Sequence, residues 1–121
     1  MLAKEVLDLD CIFCKIAQKE IPGEIVYEDD KIIAFKDISP VAPIHILFIS
    51  KEHINSVDDL DDKNKDLIGH IFLKIKEVAR ELKIENEGYR IVNNCGELGG
   101  QTVNHIHFHL LAGRQMQWPP G

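Results

Sequence analysis

No stretch of this 121-residue chain approaches the ~20 consecutive apolar residues that span a bilayer, so no membrane partner is expected. The opening Met1-Leu2-Ala3-Lys4-Glu5-Val6 lacks the apolar segment of a secretory leader, and a cytoplasmic protein is expected. Basic tracts are missing as well. With 14 Lys and Arg against 20 Asp and Glu the net charge is −6, which argues against nucleic acid held through phosphate neutralisation. A small anionic ligand stays open, because local amides and histidines can hold one at any net charge. Internal repeats, low-complexity segments and linkers are absent, as is any G-x-G-x-x-G or P-loop pattern, so Gly96, Gly99 and Gly100 by themselves read as a flexible loop. Cysteine is scarce and odd in number: Cys11, Cys14 and Cys95 make no disulfide scaffold. The C-x-x-C spacing of the first two points to metal or redox chemistry in a reducing compartment. Redox is disfavoured, since no thioredoxin-like βαβ pattern surrounds Cys11.

What is present is the composition of one globular domain, 45% apolar and 28% charged. We expect residues 1–10 to form a loosely held arm and residues 11–121 a single domain. Ile12, Phe13, Ile16 and Ala17 recur at helical spacing, predicting a short helix over 11–20 that Ile21-Pro22-Gly23 ends. Strands are predicted over 25–28 and 31–36, joined at Asp29-Asp30 as a hairpin, and over 44–50 after Pro40 and Pro43. Leu67, Ile68, Ile71, Phe72, Ile75, Val78, Ala79 and Leu82 form the apolar face of a long helix over 62–83, capped by Asp61 or Asp62. Two more strands follow, over 88–93 and 105–111. This order gives an α+β protein, a mostly antiparallel sheet with the long helix on one face.

The chemistry concentrates in His105-Ile106-His107-Phe108-His109-Leu110-Leu111, where strict alternation sends three imidazoles to one face of a strand and Ile106, Phe108 and Leu110 to the core. One histidine of this kind could be a satisfied polar group at a core edge; three in register are not explained that way. Two readings remain open from spacing alone. Imidazoles at i and i+2 can ligate zinc, or they can supply a nucleophile and phosphate-binding donors.

The seven-residue stretch resembles the H-φ-H-φ-H-φ-φ signature, with φ apolar, of the histidine-triad superfamily. Ala34-Phe35-Lys36-Asp37-Ile38-Ser39-Pro40, Ala42-Pro43-Ile44-His45, Lys51-Glu52-His53-Ile54, Gly99-Gly100-Gln101-Thr102-Val103 and the tail Gly113-Arg114-Gln115-Met116-Gln117-Trp118-Pro119-Pro120-Gly121 resemble its nucleotide-binding protein branch. The resemblance runs from about Cys11 to the C-terminus. It implies a five-stranded antiparallel sheet, with one long and one short helix, continued across a homodimer. It also implies a purine nucleoside phosphoramidase that cleaves the P–N bond of AMP or GMP derivatives, and aminoacyl adenylates, without Mg²⁺. In that branch the middle histidine attacks phosphorus, so His107 would form a nucleotidyl-imidazole while His109 and His45 orient the phosphate. Asn93, Gly100 and Thr102, the last standing where serine is usual, match positions at the phosphate or leaving group. Asp37 matches the acceptor of the ribose hydroxyls, though alone it reads as a turn residue before Ser39-Pro40. Ile12, Phe13, Ile16 and Ile38 match the purine walls, whereas taken by themselves they read as core. By the same resemblance Trp118 packs near an active site, its own or that of a partner subunit.

Other members of the superfamily carry a C-x-x-C near this position and bind structural zinc. Carried over, the ligands are Cys11, Cys14, His53 and His105, a set that suits a closed tetrahedral Zn²⁺. Two other readings stay alongside: a regulatory module that binds nucleotide but acts by docking on other proteins, and a metal protein using the whole histidine row. His70 reads as a surface or interface residue, residues 58–62 as a solvated acidic loop, and Cys95 has no visible partner.

Overall fold

The computed structural model describes residues 10–121, so all of the expected N-terminal arm except Asp10 lies outside the described residues. A short helix α1 (Ile12–Ala17) is followed by strands β1 (Ile25–Glu28), β2 (Ile32–Lys36) and β3 (Ile44–Ser50). Two 3-10 turns, Val57–Asp59 and Asp62–Asn64, lead into helix α2 (Lys65–Glu81), and β4 (Arg90–Asn93) and β5 (His107–Ala112) complete the order. The sheet is antiparallel throughout, ordered β1-β2-β3-β5-β4. No helix among the described residues is long and apolar enough to cross a membrane.

Alternation along each strand divides the sheet into two faces with different covers. Ile32, Ala34, Ile46, Phe48, Phe108 and Leu110 point to α2 and meet Ile71, Ile75, Val78 and Ala79 in the larger core. The opposite face carries Ile33, Phe35, Leu47 and Ile49, packed beneath Phe13, Cys14 and Ile16 of α1. Six residues cannot cover a five-stranded sheet, and beyond α1 this face continues through the register pairs Leu47↔His109 and His45↔Leu111.

Several element ends differ from the sequence expectation. Asp61 caps the 3-10 turn and forms a capping box with Asn64, so α2 itself starts only at Lys65. Gly88 takes φ +92 as a turn residue, and β4 begins at Arg90. β5 begins at His107, two residues later than expected. The preceding backbone is tied elsewhere, His105 N–H to Val103 O (2.9 Å) and Ile106 N–H to Ile54 O (2.7 Å), which keeps it out of the ladder. His70 is half-buried, and its Nε2 meets Asp29 Oδ2 at 2.6 Å and ties the β1–β2 turn to α2.

Candidate active site

The three imidazoles keep to one face as the alternation predicts, but they do not share one site. His107 and His109 stand side by side with ring centroids 5.1 Å apart. His105, fully buried, turns instead into the cluster formed by the two N-terminal cysteines.

Hydrogen-bond partners fix the ring protons around His107 and His109. The Val41 N–H can only donate, so His45 Nδ1 accepts it (3.2 Å) and the His45 proton sits on Nε2. That Nε2–H reaches His109 Nδ1 at 2.9 Å, which moves the His109 proton to its own Nε2. His107 donates its Nδ1–H to the His105 carbonyl (2.7 Å), leaving the Nε2 lone pair uncommitted by that bond. Burial pushes all three rings towards the neutral form. For His109 it is the largest cause, the nearby His107 and His45 add to it, and its pKa falls to about 4. His107 and His45 are lowered by burial too, with Asp37 working in the opposite direction on both. The result is a neutral nucleophile-like nitrogen beside a neutral N–H donor.

The other expected site residues are placed as follows. Asp37 Oδ1 closes a turn by accepting Ser39 N–H (2.7 Å), while Oδ2 lies 3.5 Å from His45 Nε2, so this carboxylate is both a turn residue and part of the site. Asn93 Nδ2 donates to the His107 carbonyl (2.9 Å) and so ties β4 to β5 beside the reactive ring. The Gly100 amide is spent on Glu97 O (3.0 Å), and Gly100 takes φ +84, where a side chain would be strained. Thr102 is exposed with its loop. Phe13 and Ile16 are buried as core residues, but Ile12 is 46% exposed and Ile38 95% exposed, which corrects the core reading for those two. Trp118 is 82% exposed and does not pack into a site within its own chain. A cavity of about 560 Å³ beside His45 and His109 is lined by Arg90, Arg114, Met116 and the end of the tail. Another, of about 580 Å³ at the hairpin end, mixes Lys31, Lys51 and Lys63 with Asp30, Glu52 and Asp66 and includes none of these aligned rings.

Cys11, Cys14, His53 and His105 converge, their donor atoms all within 4.8 Å of one another. Cys11 Sγ lies 3.3 Å from His105 Nδ1, and Cys14 Sγ lies 3.2 Å from His53 Nδ1 and 3.6 Å from His105 Nδ1. Tetrahedral zinc with bonds of about 2.0–2.3 Å needs ligand atoms about 3.3–3.8 Å apart, close to this spacing. The outer nitrogens are also committed as such a site requires. His105 Nε2–H donates to Ser50 O (2.7 Å) and His53 Nε2–H to Asn55 Oδ1 (2.8 Å), leaving both Nδ1 lone pairs turned towards the sulfurs.

Sequence reasoning missed the Val41 amide, Ser50 carbonyl and Asn55, which set the ring protons, and Arg90 and Arg114. It gave Gln101 no role, yet Gln101 closes the loop before the triad, donating to Asn55 O (2.7 Å) and Val103 O (2.9 Å) and accepting from Gly96 N–H. The Val41 and Ser50 partners are backbone groups, which leave no pattern in a sequence, and the side chains of Asn55 and Gln101 meet theirs only once the loops are folded.

The run His105, His107 and His109 leading into and along an inner strand of this sheet, with His45 beside it on β3, is the arrangement of a histidine-triad protein. Residues 18–116 match the family model of the HIT domain, and the chain belongs to that family. It is 49% identical over 112 residues to an uncharacterised HIT-like protein of Synechococcus elongatus, covering 93% of this chain and 97% of the relative. A HIT family hydrolase from Legionella pneumophila has a crystal structure matching with a TM-score of 0.91 at 50% identity, covering 93% of this chain and all of that one. A histidine triad nucleotide-binding protein from Candida albicans matches with a TM-score of 0.79 at 34% identity, over 91% of this chain and 83% of its own.

Proposed function

We propose that this chain is a nucleotide hydrolase of the histidine-triad nucleotide-binding branch, cleaving the P–N bond of purine nucleoside phosphoramidates and acting on aminoacyl adenylates by the same route. The observation that carries the reading is the proton arrangement: His107 spends Nδ1–H on the His105 carbonyl and keeps an Nε2 lone pair next to the ring of His109. The Legionella relative's name as a hydrolase supports the reaction class, and the Candida relative's name supports a nucleotide ligand.

His107 Nε2 attacks the α-phosphorus, and the P–N bond breaks with its electron pair leaving on the amine, which takes up a proton. The His109 Nε2–H, held outward by His45, donates to a phosphoryl oxygen as charge develops there. Water then attacks phosphorus, His107 Nε2 departs, and AMP is released with one proton. Positioning and hydrogen bonds supply the stabilisation, so Mg²⁺ has no assigned part. Asp37 Oδ2 is the acceptor for the ribose hydroxyls, with Thr102, Asn93 and Gly100 in the loop and strand around the phosphate. Exposed Ile12 and Ile38, backed by Phe13 and Ile16, flank the purine; apolar side chains left in water at a site rim are accounted for by a planar base between them.

Two assignments accompany the reading. Cys11, Cys14, His53 and His105 hold one Zn²⁺ with every coordination position filled by protein, which makes it structural. Two copies pair through the outer edge of β4, where the half-buried Ile91 and Val92 lie, with Phe72 of α2 beside the edge against Phe108. The test of the chemistry is His107→Ala, which is expected to abolish amine release from an adenosine phosphoramidate while AMP still binds. Retained turnover in that variant rejects the reading.

A further inference from the structure

We propose that the cysteine–histidine cluster, when it holds zinc, sets the orientation of the His107 ring, and that Phe13 is the positioning residue through which α1 takes part. Only the kinetic readout of this inference rests on the hydrolase reading above.

Two physical routes join the cluster to His107. The first runs through His105. Its ring is held at both nitrogens, Nε2–H on Ser50 O (2.7 Å) and Nδ1 against Cys11 and Cys14. The carbonyl of that same residue receives the His107 Nδ1–H at 2.7 Å. A shift of His105 therefore moves the acceptor that selects the His107 tautomer. Were that acceptor lost, the proton could sit on Nε2 and the attacking lone pair would be gone.

The second route is α1. Phe13 lies in sequence between Cys11 and Cys14, and its ring meets His107 edge-on at 5.1 Å and 82°. It also touches His105 at 5.9 Å and Phe35 at 5.6 Å, so one side chain wedges between the cluster, the reactive ring and the sheet. The helix has only six residues, far below the ~12–15 at which an isolated helix begins to hold itself together. Its place depends on tertiary ties. Burial of Phe13 and Ile16 is one; the other is the pair of thiol groups, one of which also caps the helix through Cys14 N–H to Cys11 Sγ (3.4 Å). Zinc would join both thiolates to His53, just beyond β3, and to His105, just before β5. The purine wall at Ile12 and the ring contact at Phe13 ride on the segment so anchored.

The test uses the full chain loaded with zinc and reads ring-nitrogen NMR signals of His107 at fixed neutral pH, with amide exchange over α1 and kcat alongside. Cys11→Ser, or chelation of the wild type, is expected to remove one zinc per chain, speed exchange in α1 and convert a single Nδ1–H tautomer into a mixture. kcat should fall about 10- to 100-fold, the usual effect of disturbing groups that orient a site. Phe13→Leu keeps all four donors and should keep zinc, yet show the same tautomer mixing with a fall in kcat larger than any rise in KM. Zinc loss without change in the His107 nitrogen signals overturns the inference, as does a chain that takes up no zinc, or a Phe13→Leu protein indistinguishable from wild type. A wild type with the tautomer response but no turnover would sink the hydrolase reading and leave this one standing.

Discussion

Replacing His45 by Ala removes one link from the proton chain without touching the proposed nucleophile. His45 is buried, accepts Val41 N–H and donates to His109 Nδ1 at 2.9 Å, so its loss frees the His109 proton to move from Nε2 to Nδ1. A neutral hydrogen bond contributes about 1 kcal/mol net, which corresponds to roughly a 5-fold shift in tautomer population. A changed ratio by itself lowers the fraction of the competent tautomer by no more than that factor. If the outward donor is lost altogether, the cost is that of one oxyanion-type donor, about 100-fold or more in kcat. Initial rates of amine release from an adenosine phosphoramidate should therefore fall by up to about 5-fold if only the tautomer ratio shifts and by about 100-fold if the outward donor is lost, with AMP affinity far less affected. His45→Gln, whose terminal NH₂ can reach the place of the imidazole Nε2, should recover a substantial part of the rate. Thermal unfolding of both variants separates a loss of fold from a loss of chemistry. A His45→Ala enzyme with the wild-type rate and an unchanged His109 tautomer, or a Gln variant as impaired as the Ala one, would refute the proton chain.

Two further outcomes are expected. Histidine NMR titration should find His109 half-protonated near pH 4, because burial and the neighbouring His107 and His45 oppose its charge. The folded state then binds fewer protons than the unfolded chain between about 6.5 and about 4; the stability this ring contributes is complete above the ordinary histidine value and lost as pH falls through about 4. A midpoint at or above the ordinary value would show the ring to be solvated and the chain of bonds broken. Sedimentation should give a species of twice 13.8 kDa that Phe72→Glu converts to a folded monomer, while a wild-type monomer would remove the proposed pairing through β4.

The legible part of this protein was whatever short-range periodicity dictates. The third strand was predicted over the same residues that form β3, and the buried face of α2 follows its apolar spacing, since each depends only on which side of a strand or helix a residue projects. The same rule put Ile106, Phe108 and Leu110 in the core and the imidazoles opposite them. Periodicity could not separate a buried apolar residue from an exposed one: Phe13 and Ile38 are both apolar, yet one is buried beneath a sheet and the other stands in solvent. Nor could it place the start of β5, which waits on a bond from Ile106 to Ile54, half the chain away.

By itself, then, the sequence determined an alternating strand with nitrogen bases on one side and a hydrophobic surface on the other. The tertiary structure decided what each base does. Strand order brings His45 to His109 across 64 residues of chain, and a bend before β5 turns His105 towards Cys11 and Cys14. Which nitrogen keeps its proton depends on the partner that the other nitrogen meets. Those partners, the Val41 amide, the His105 carbonyl and the Ser50 carbonyl, belong to the backbone and become neighbours only on folding.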